Sequence, residues 1–416
     1  MRLDRDFPAV WMNRDDCGRP RLPRKMKTPR ALLLLFPLMN LSAAAQDLPA
    51  PIDAAATAET RALYHNLFRV GEKGILFGHQ DDLAYGHEWI GEKDRSDVRA
   101  VTGDYPAVYG WDAGALEPSG PNKDIAGPRL NAETLGEFSR QAFARGGVVT
   151  FSWHAGNPVS GKGFYDVTPA AAAILPGGER HEAFLTRLDA LADFFKSLAP
   201  MPVVFRPWHE HNGDWFWWGK AHTAEADYIA LWRFTVHYLR DVKGVHNLLY
   251  AFSTDKSRID LTHFERDYLY GWPGDDYVDV MGLDDYEDAR PPREGDKAQT
   301  LEAKRADFAK ALTELALLAK KRGKLPALTE TGVEAIPVAN WWTGHLLPAL
   351  TANGETRSMA WVLVWRNANA SLEKQEHYFA PFPGQLSAED FVKFAKGGTI
   401  LLEGDLPPMY REDGAK

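Results

Sequence analysis

Two glutamates and a set of tryptophans carry most of the chemistry this sequence can do. Glu210 stands in the run Arg206-Pro-Trp-His-Glu-His-Asn-Gly-Asp-Trp-Phe-Trp-Trp-Gly219, and Glu330 in Leu328-Thr-Glu-Thr-Gly332. A pair of carboxylates facing each other can break a glycosidic bond, one as proton donor and the other as nucleophile or base. Trp153, Trp208, Trp215, Trp217, Trp218 and Trp365 would give flat apolar faces for sugar rings. His79, His154, Arg206 and Asp284 would bind the hydroxyl rims. A glutamate at the end of a strand is more often an ion-pair partner, so it is the pairing of two such positions that points to catalysis.

Some of these residues have plainer roles. Trp217 and Trp218 are adjacent, so one of them is expected to pack inside. Trp232, Trp341 and Trp342 fall in helical stretches and are expected in the core. The His209-Glu-His211 triplet could suggest a metal, but in an extended segment His209 and His211 share a face without Glu210. It is not the helical H-E-x-x-H pattern that brings two imidazoles together. No metal and no cofactor are expected.

These residues need a frame that gathers them. Eight apolar runs recur along the chain: 74–77, 107–109, 147–151, 202–205, 247–252, 278–281, 326–329 and 359–364. Continuous runs of this kind suit parallel strands buried on both faces. Between them lie amphipathic helices. One carries the stripe Phe184, Leu185, Leu188, Leu191 and Phe195. A second, opened by Thr223, carries Tyr228, Leu231, Thr235, Tyr238 and Val242. A third runs from Leu301 to Arg322 and stops at Gly323. Eight alternations predict a single (β/α)₈ TIM barrel over residues 58–404. The rival, a doubly wound open sheet, lacks its Gly-x-Gly-x-x-Gly turn. Polar or aromatic residues follow seven of the eight runs, at the barrel end where active sites collect. Glu210 follows the fourth run and Glu330 the seventh, which places them on opposite sides of the mouth.

The 416 residues are 45% apolar and 25% charged, a globular profile. The formal charge of -9 gives no footprint for nucleic acid. The first 45 residues read differently. Lys25, Lys27 and Arg30 precede the apolar run 31–36, and Ser42-Ala-Ala-Ala45 follows, the pattern of a secretory signal peptide whose start is Met26. Removing it leaves 39 basic and 53 acidic residues and takes away Cys17, the only cysteine. The expected product is soluble, secreted to the periplasm or beyond, without a membrane anchor, and monomeric.

The Arg206–Gly219 segment resembles the acid/base segment of glycoside hydrolase family 26, the secreted β-mannanases. Gly78-His-Gln-Asp81, Ser152-Trp-His154, Gly282-Leu-Asp-Asp-Tyr286, Leu328–Gly332, Trp365-Arg-Asn367 and His377-Tyr-Phe-Ala-Pro-Phe-Pro-Gly384 agree in order. The resemblance covers about residues 60–390. It implies a TIM barrel and a retaining mechanism with Glu210 as acid/base and Glu330 as nucleophile. Tyr286 resembles the tyrosine that hydrogen-bonds the nucleophile, and Trp365 the platform under the sugar at the cleavage point. Trp215, His154, His209 and Arg366 resemble substrate-binding residues. The implied substrate is β-1,4-mannan or a manno-oligosaccharide. Other β-glycans, such as mixed-linkage glucan or β-1,3-xylan, are the alternative, and a catalytically dead glycan-binding protein a third. Endo or exo action would turn on loops such as 117–129.

Overall fold

The computed structural model describes residues 48–117, 128, 130–298, 300–373 and 376–412. The leader, Met26 and most of the 117–129 loop lie outside the described residues. Among the described residues, no helix is long and apolar enough to cross a membrane.

All eight expected runs are strands of one parallel sheet. They are β1 (Ile75–Gln80), β2 (Val108–Asp112), β3 (Val148–Trp153), β4 (Val203–Pro207), β5 (Leu248–Asp255), β6 (Val280–Asp285), β7 (Leu325–Thr331) and β8 (Trp361–Val364). Each pairs with the next, and β8 returns to β1 through Leu76↔Trp361 to His79↔Val364, which closes the barrel. A short β9 (Ile400–Leu401) pairs with the start of β1. The helices include α1 (Ala58–Gly71), α2 (Asp97–Thr102), α3 (Ala132–Arg145), α4 (His181–Leu198), α5 (Glu225–His237), α6 (Phe264–Tyr268), α7 (Leu301–Arg322), α8 (Leu347–Leu350) and α9 (Ala388–Ala395).

Strand alternation sorts the apolar residues into two cores. Leu76, Val108, Val148, Val204, Leu249, Val280, Ala327 and Leu363 point inward. They meet Leu63, Tyr64, Leu67 and Val70 of α1, which stops the closed end of the barrel. Phe77, Trp111, Phe151, Trp153, Phe205 and Phe252 belong to the outer core between sheet and helices. The chain ends join this closed end. Asn66 donates its amide to the carbonyls of Met409 and Arg411, at 3.0 and 2.9 Å. Ile52 N–H donates to Asp279 at 2.7 Å. The compact unit therefore begins at Leu48 and runs past 404, wider than the 58–404 read from periodicity.

The helical readings need two adjustments. Helix α5 starts at Glu225 with no side-chain cap, because the Thr223 hydroxyl donates to the Trp217 carbonyl instead. It runs into a π-helical turn over Tyr238–Val242, which shifts the phase and leaves Val242 exposed. Helix α7 is as read, capped by Thr300 and closed by Gly323 at φ 65°.

Candidate active site

The open end of the barrel gathers charge. Arg206 of β4 is buried, and its guanidinium donates to Asp284 Oδ2 at 2.8 Å and to Glu330 Oε1. Thr329 donates its hydroxyl to Asp284 Oδ1 at 2.6 Å. Gly282 makes this floor possible, since a Cβ there would meet Thr329 Oγ1 at 2.6 Å and Ser253 Cβ at 2.8 Å.

Simple alternation puts Thr329 inward and Glu330 outward. The register breaks here on both flanks. Leu283↔Leu328 is followed by Asp284↔Glu330, and Val362↔Leu328 by Val364↔Thr331. This β-bulge re-aims Glu330 into the mouth, a common use of bulges beside active sites. There Tyr286 OH donates to Glu330 Oε2 at 2.8 Å. Burial of its hydroxyl, and then the neighbouring Glu330, push the Tyr286 pKa well above the ordinary phenol range, so it stays a donor.

Glu210 is presented differently. Past β4 the chain turns through left-handed conformations at Trp208 (φ 52°) and Glu210 (φ 54°), which non-glycine residues adopt only when their surroundings hold them. Tyr228 OH donates to Trp208 O at 2.9 Å, Trp218 Nε1 to His209 O at 2.8 Å, and Glu210 N to Ser253 O at 3.0 Å. Asn212 clasps the end of β5, donating to Asp255 O at 2.7 Å and accepting from Asp255 N at 2.9 Å. The Glu210 carboxylate accepts one side-chain bond, from Trp215 Nε1 at 2.7 Å. Burial, then the charges of Asp255, Asp284 and Glu330, raise its pKa well above the ordinary carboxylate range.

Glu210, Asp284 and Glu330 bring oxygens within 4.8 Å of one another. By distance alone this is a donor set for a hard cation. Arg206, Tyr286 and Thr329 already occupy both oxygens of Asp284 and of Glu330. The Arg206 guanidinium supplies positive charge to this acidic cluster. His209 and His211 do not offer a shared face, because the segment is not extended. The two imidazoles diverge, His211 to Tyr270 O at 2.6 Å and His209 to His154, Nε2 to Nε2, at 3.2 Å. Burial, and then Arg206, keep the His209 pKa well below the usual imidazole value. His154 Nδ1 meets Asp112 Oδ2 at 2.6 Å, and its ring lies 5.9 Å from that of Trp365.

The structure thus brings together Glu210, Glu330, Tyr286, Trp215, His154 and His209, with Trp365 beside His154. Arg366 stands behind them. Its guanidinium is committed to Glu373 at 2.9 and 2.7 Å and to Tyr85 OH at 3.3 Å.

Several expected sugar contacts are not at the surface of the cleft. Trp153, Trp208, Trp217 and Trp218 are fully buried. Trp153 lies in the outer core by strand parity. Trp208 contacts Trp153, Trp217 and Trp218 with ring centroids 4.6, 5.4 and 5.7 Å apart. This wedge holds the left-handed segment, and only Trp215 and Trp365 keep partly open faces. His79, Arg206 and Asp284 are also buried, within the wall and floor rather than at hydroxyl rims. Residues not singled out from sequence include Ser253 and Asp255. The fifth apolar run ends at Phe252, yet β5 continues through Ser253-Thr-Asp255. Extending that run by its own alternation is the signal that would have found them.

Comparison with known proteins agrees with this geometry. The description of glycosyl hydrolase family 26 matches residues 52–344. The chain is 36% identical over 365 residues to a mannan endo-1,4-β-mannosidase of Bifidobacterium adolescentis. That match covers 84% of this chain and 35% of the relative, so the chain spans about a third of that protein. A solved GH26 β-mannanase from Bacteroides ovatus is 42% identical, with TM-score 0.76, covering 86% of this chain and 99% of that one. A modular endo-β-1,4-mannanase from Cellulomonas fimi is 36% identical, with TM-score 0.76, covering 87% and 79%.

Proposed function

This chain belongs to glycosyl hydrolase family 26, and from that membership we propose that it is a secreted mannan endo-1,4-β-mannosidase that acts with retention of configuration. The observation that carries the retaining reading is the approach of the Glu210 and Glu330 oxygens to within 4.8 Å. Retaining glycosidases hold their carboxyl groups about 5–5.5 Å apart, whereas inverting ones leave about 6.5–9.5 Å for a water.

The reaction follows from the two environments. Glu330, fixed by Arg206 and Tyr286, attacks the anomeric carbon. Glu210 is kept protonated by burial and by its acidic neighbours, and gives its proton to the departing glycosidic oxygen. Once Glu330 is esterified its charge is gone, one cause of Glu210's raised pKa disappears, and Glu210 serves as base for the attacking water. Trp365 and His154 support the sugar at the cleavage point, and Trp215 supports the next unit. The mannan specificity rests on the names of the relatives. Secretion and a monomeric state rest on the sequence.

The test is proton NMR during hydrolysis of polymeric mannan and of manno-oligosaccharides. The β-anomer is expected as first product, with mannan cut internally and cellulose left intact. An α-anomer would overturn retention. Faster turnover of mixed-linkage glucan than of mannan would overturn the substrate.

A further inference from the structure

Asp112 closes β2, and the groups around its carboxylate are donors. Gly114 N–H donates to Oδ1 at 2.8 Å, and the Ser152 hydroxyl to Oδ2 at 2.9 Å. The His154 amide donates to Oδ2 at 3.2 Å, and His154 Nδ1 lies 2.6 Å from the same oxygen. The register of β2 and β3 arranges this, because it pairs Asp112 with Ser152, two residues before His154. Burial opposes charge on Asp112. The facing His154, its hydrogen bond and those of Gly114 and Ser152 outweigh that and hold the pKa below the ordinary carboxylate value. The carboxylate is therefore ionised and can only accept. The proton between it and His154 belongs to Nδ1.

A proton on one imidazole nitrogen decides what the other can do. The three other donors already satisfy the Asp112 carboxylate, so it needs no imidazolium beside it. In neutral His154, with Nδ1–H given to Asp112, Nε2 is bare. It faces His209 Nε2 at 3.2 Å. Two ring nitrogens in hydrogen-bond contact share one proton, and here His209 must supply it. His209 is buried, and burial, then Arg206 and His154, keep its pKa well below the usual imidazole value, so it holds no second proton. Its Nδ1 is then a bare acceptor, buried and without a hydrogen-bond partner among the described residues. Both nitrogens of His154 are engaged. A polarity fixed at the end of β2 thus emerges at His209, the residue before Glu210.

We propose that Asp112 is a positioning residue for the hydrolysis: through His154 it sets the tautomer of His209, with Nδ1–H on the first ring and Nε2–H on the second. The proposal rests on the reading of Glu210 and Glu330 as the catalytic pair. No proton leaves the relay during the reaction. Its work is to fix a hydrogen-bond polarity before the substrate arrives, so that none has to reorient in the transition state. Asparagine at position 112 would reverse it. The amide nitrogen must replace one carboxylate oxygen. At Oδ1 it would oppose the Gly114 N–H, which cannot turn. At Oδ2 it meets a hydroxyl that can rotate and an imidazole that can change tautomer, while the His154 amide keeps Oδ1 at 3.4 Å. The nitrogen therefore settles at Oδ2 and donates to Nδ1. His154 becomes Nε2–H, and His209 becomes Nδ1–H.

The test is NMR of the full chain carrying ¹⁵N-histidine, in which long-range couplings show which ring nitrogen holds the proton. His154→Gln and His209→Gln assign the two signals. The parent should show Nδ1–H on His154 and Nε2–H on His209, both rings neutral. Asp112→Asn should invert both tautomers and lower kcat on mannan about 10²-fold with little change in KM, the cost of one misdirected donor. Ser152→Ala removes another bond to the same oxygen but leaves the carboxylate, so its tautomers should match the parent. A role in packing alone would leave the tautomers alike in the two variants. Nε2–H or a second proton on His154 of the parent, or unchanged tautomers in Asp112→Asn, overturns the relay. Inverted tautomers with unchanged kcat overturn its part in the reaction. Parental activity in Glu210→Ala or Glu330→Ala overturns instead the reading of the catalytic pair beneath it.

Discussion

Glu210 and Glu330 share a side chain and a cleft, but little else. Glu330 is on a strand, gripped by a guanidinium and a phenol, with both oxygens taken. Glu210 is on a left-handed turn, has a single indole donor, and is ringed by Asp255, Asp284 and Glu330. Nearby anions disfavour the ionised form of Glu210. In the proposed reaction this contrast in neighbours separates the nucleophile from the acid.

The sharpest way to break the comparison is to remove each carboxylate in turn. Glu330→Ala should cost on the order of 10⁵–10⁶-fold in kcat with every substrate, since no covalent step survives. Glu210→Ala should cost about 10²–10⁴-fold on mannan. An aryl mannobioside with an acidic phenol departs without protonation, so its first step should survive and the intermediate should accumulate as a burst. Azide should then accelerate turnover and yield a β-glycosyl azide. An α-azide from Glu210→Ala, or rescue confined to Glu330→Ala with a β-product, would reverse the assignments.

Milder changes sharpen the contrast. Tyr286→Phe removes one donor from Glu330 and should lower kcat about 10²-fold with little change in KM. The smallest expected effect is on the acid. Burial is the first cause of the raised Glu210 pKa and Asp255 the second. Activity on mannan needs Glu210 protonated, so it falls as pH rises through that pKa. Asp255→Asn removes a negative neighbour, lowers the pKa, and should move the alkaline limb of kcat/KM to lower pH by about half a unit to one unit. An alkaline limb that stays in place would show that Asp255 has no part in tuning the acid.

Much of this was legible in the residues. The eight apolar runs are the eight barrel strands, and the Arg206–Gly219 motif brings Glu210 to the mouth. What failed failed for local reasons. The apolar run 247–252 stops short of the end of β5, whose last three residues are polar and still in the sheet. Trp153 shares the parity of Phe151 and Val149, so its outward position is legible in the alternation. The bulge that turns Glu330 inward has no glycine to mark it, and neither do the left-handed turns at Trp208 and Glu210. Those conformations are imposed by tertiary packing, which no local signal carries.

The way β1 is flanked has a consequence in time. Its partners at one edge and at the start of the other, Trp361–Val364 and Ile400–Leu401, are made long after it. At synthesis rates of about 5–20 residues per second, the first strand waits tens of seconds for its final neighbours. Until then the ring is an open ribbon with an unsealed edge, and the catalytic mouth does not exist.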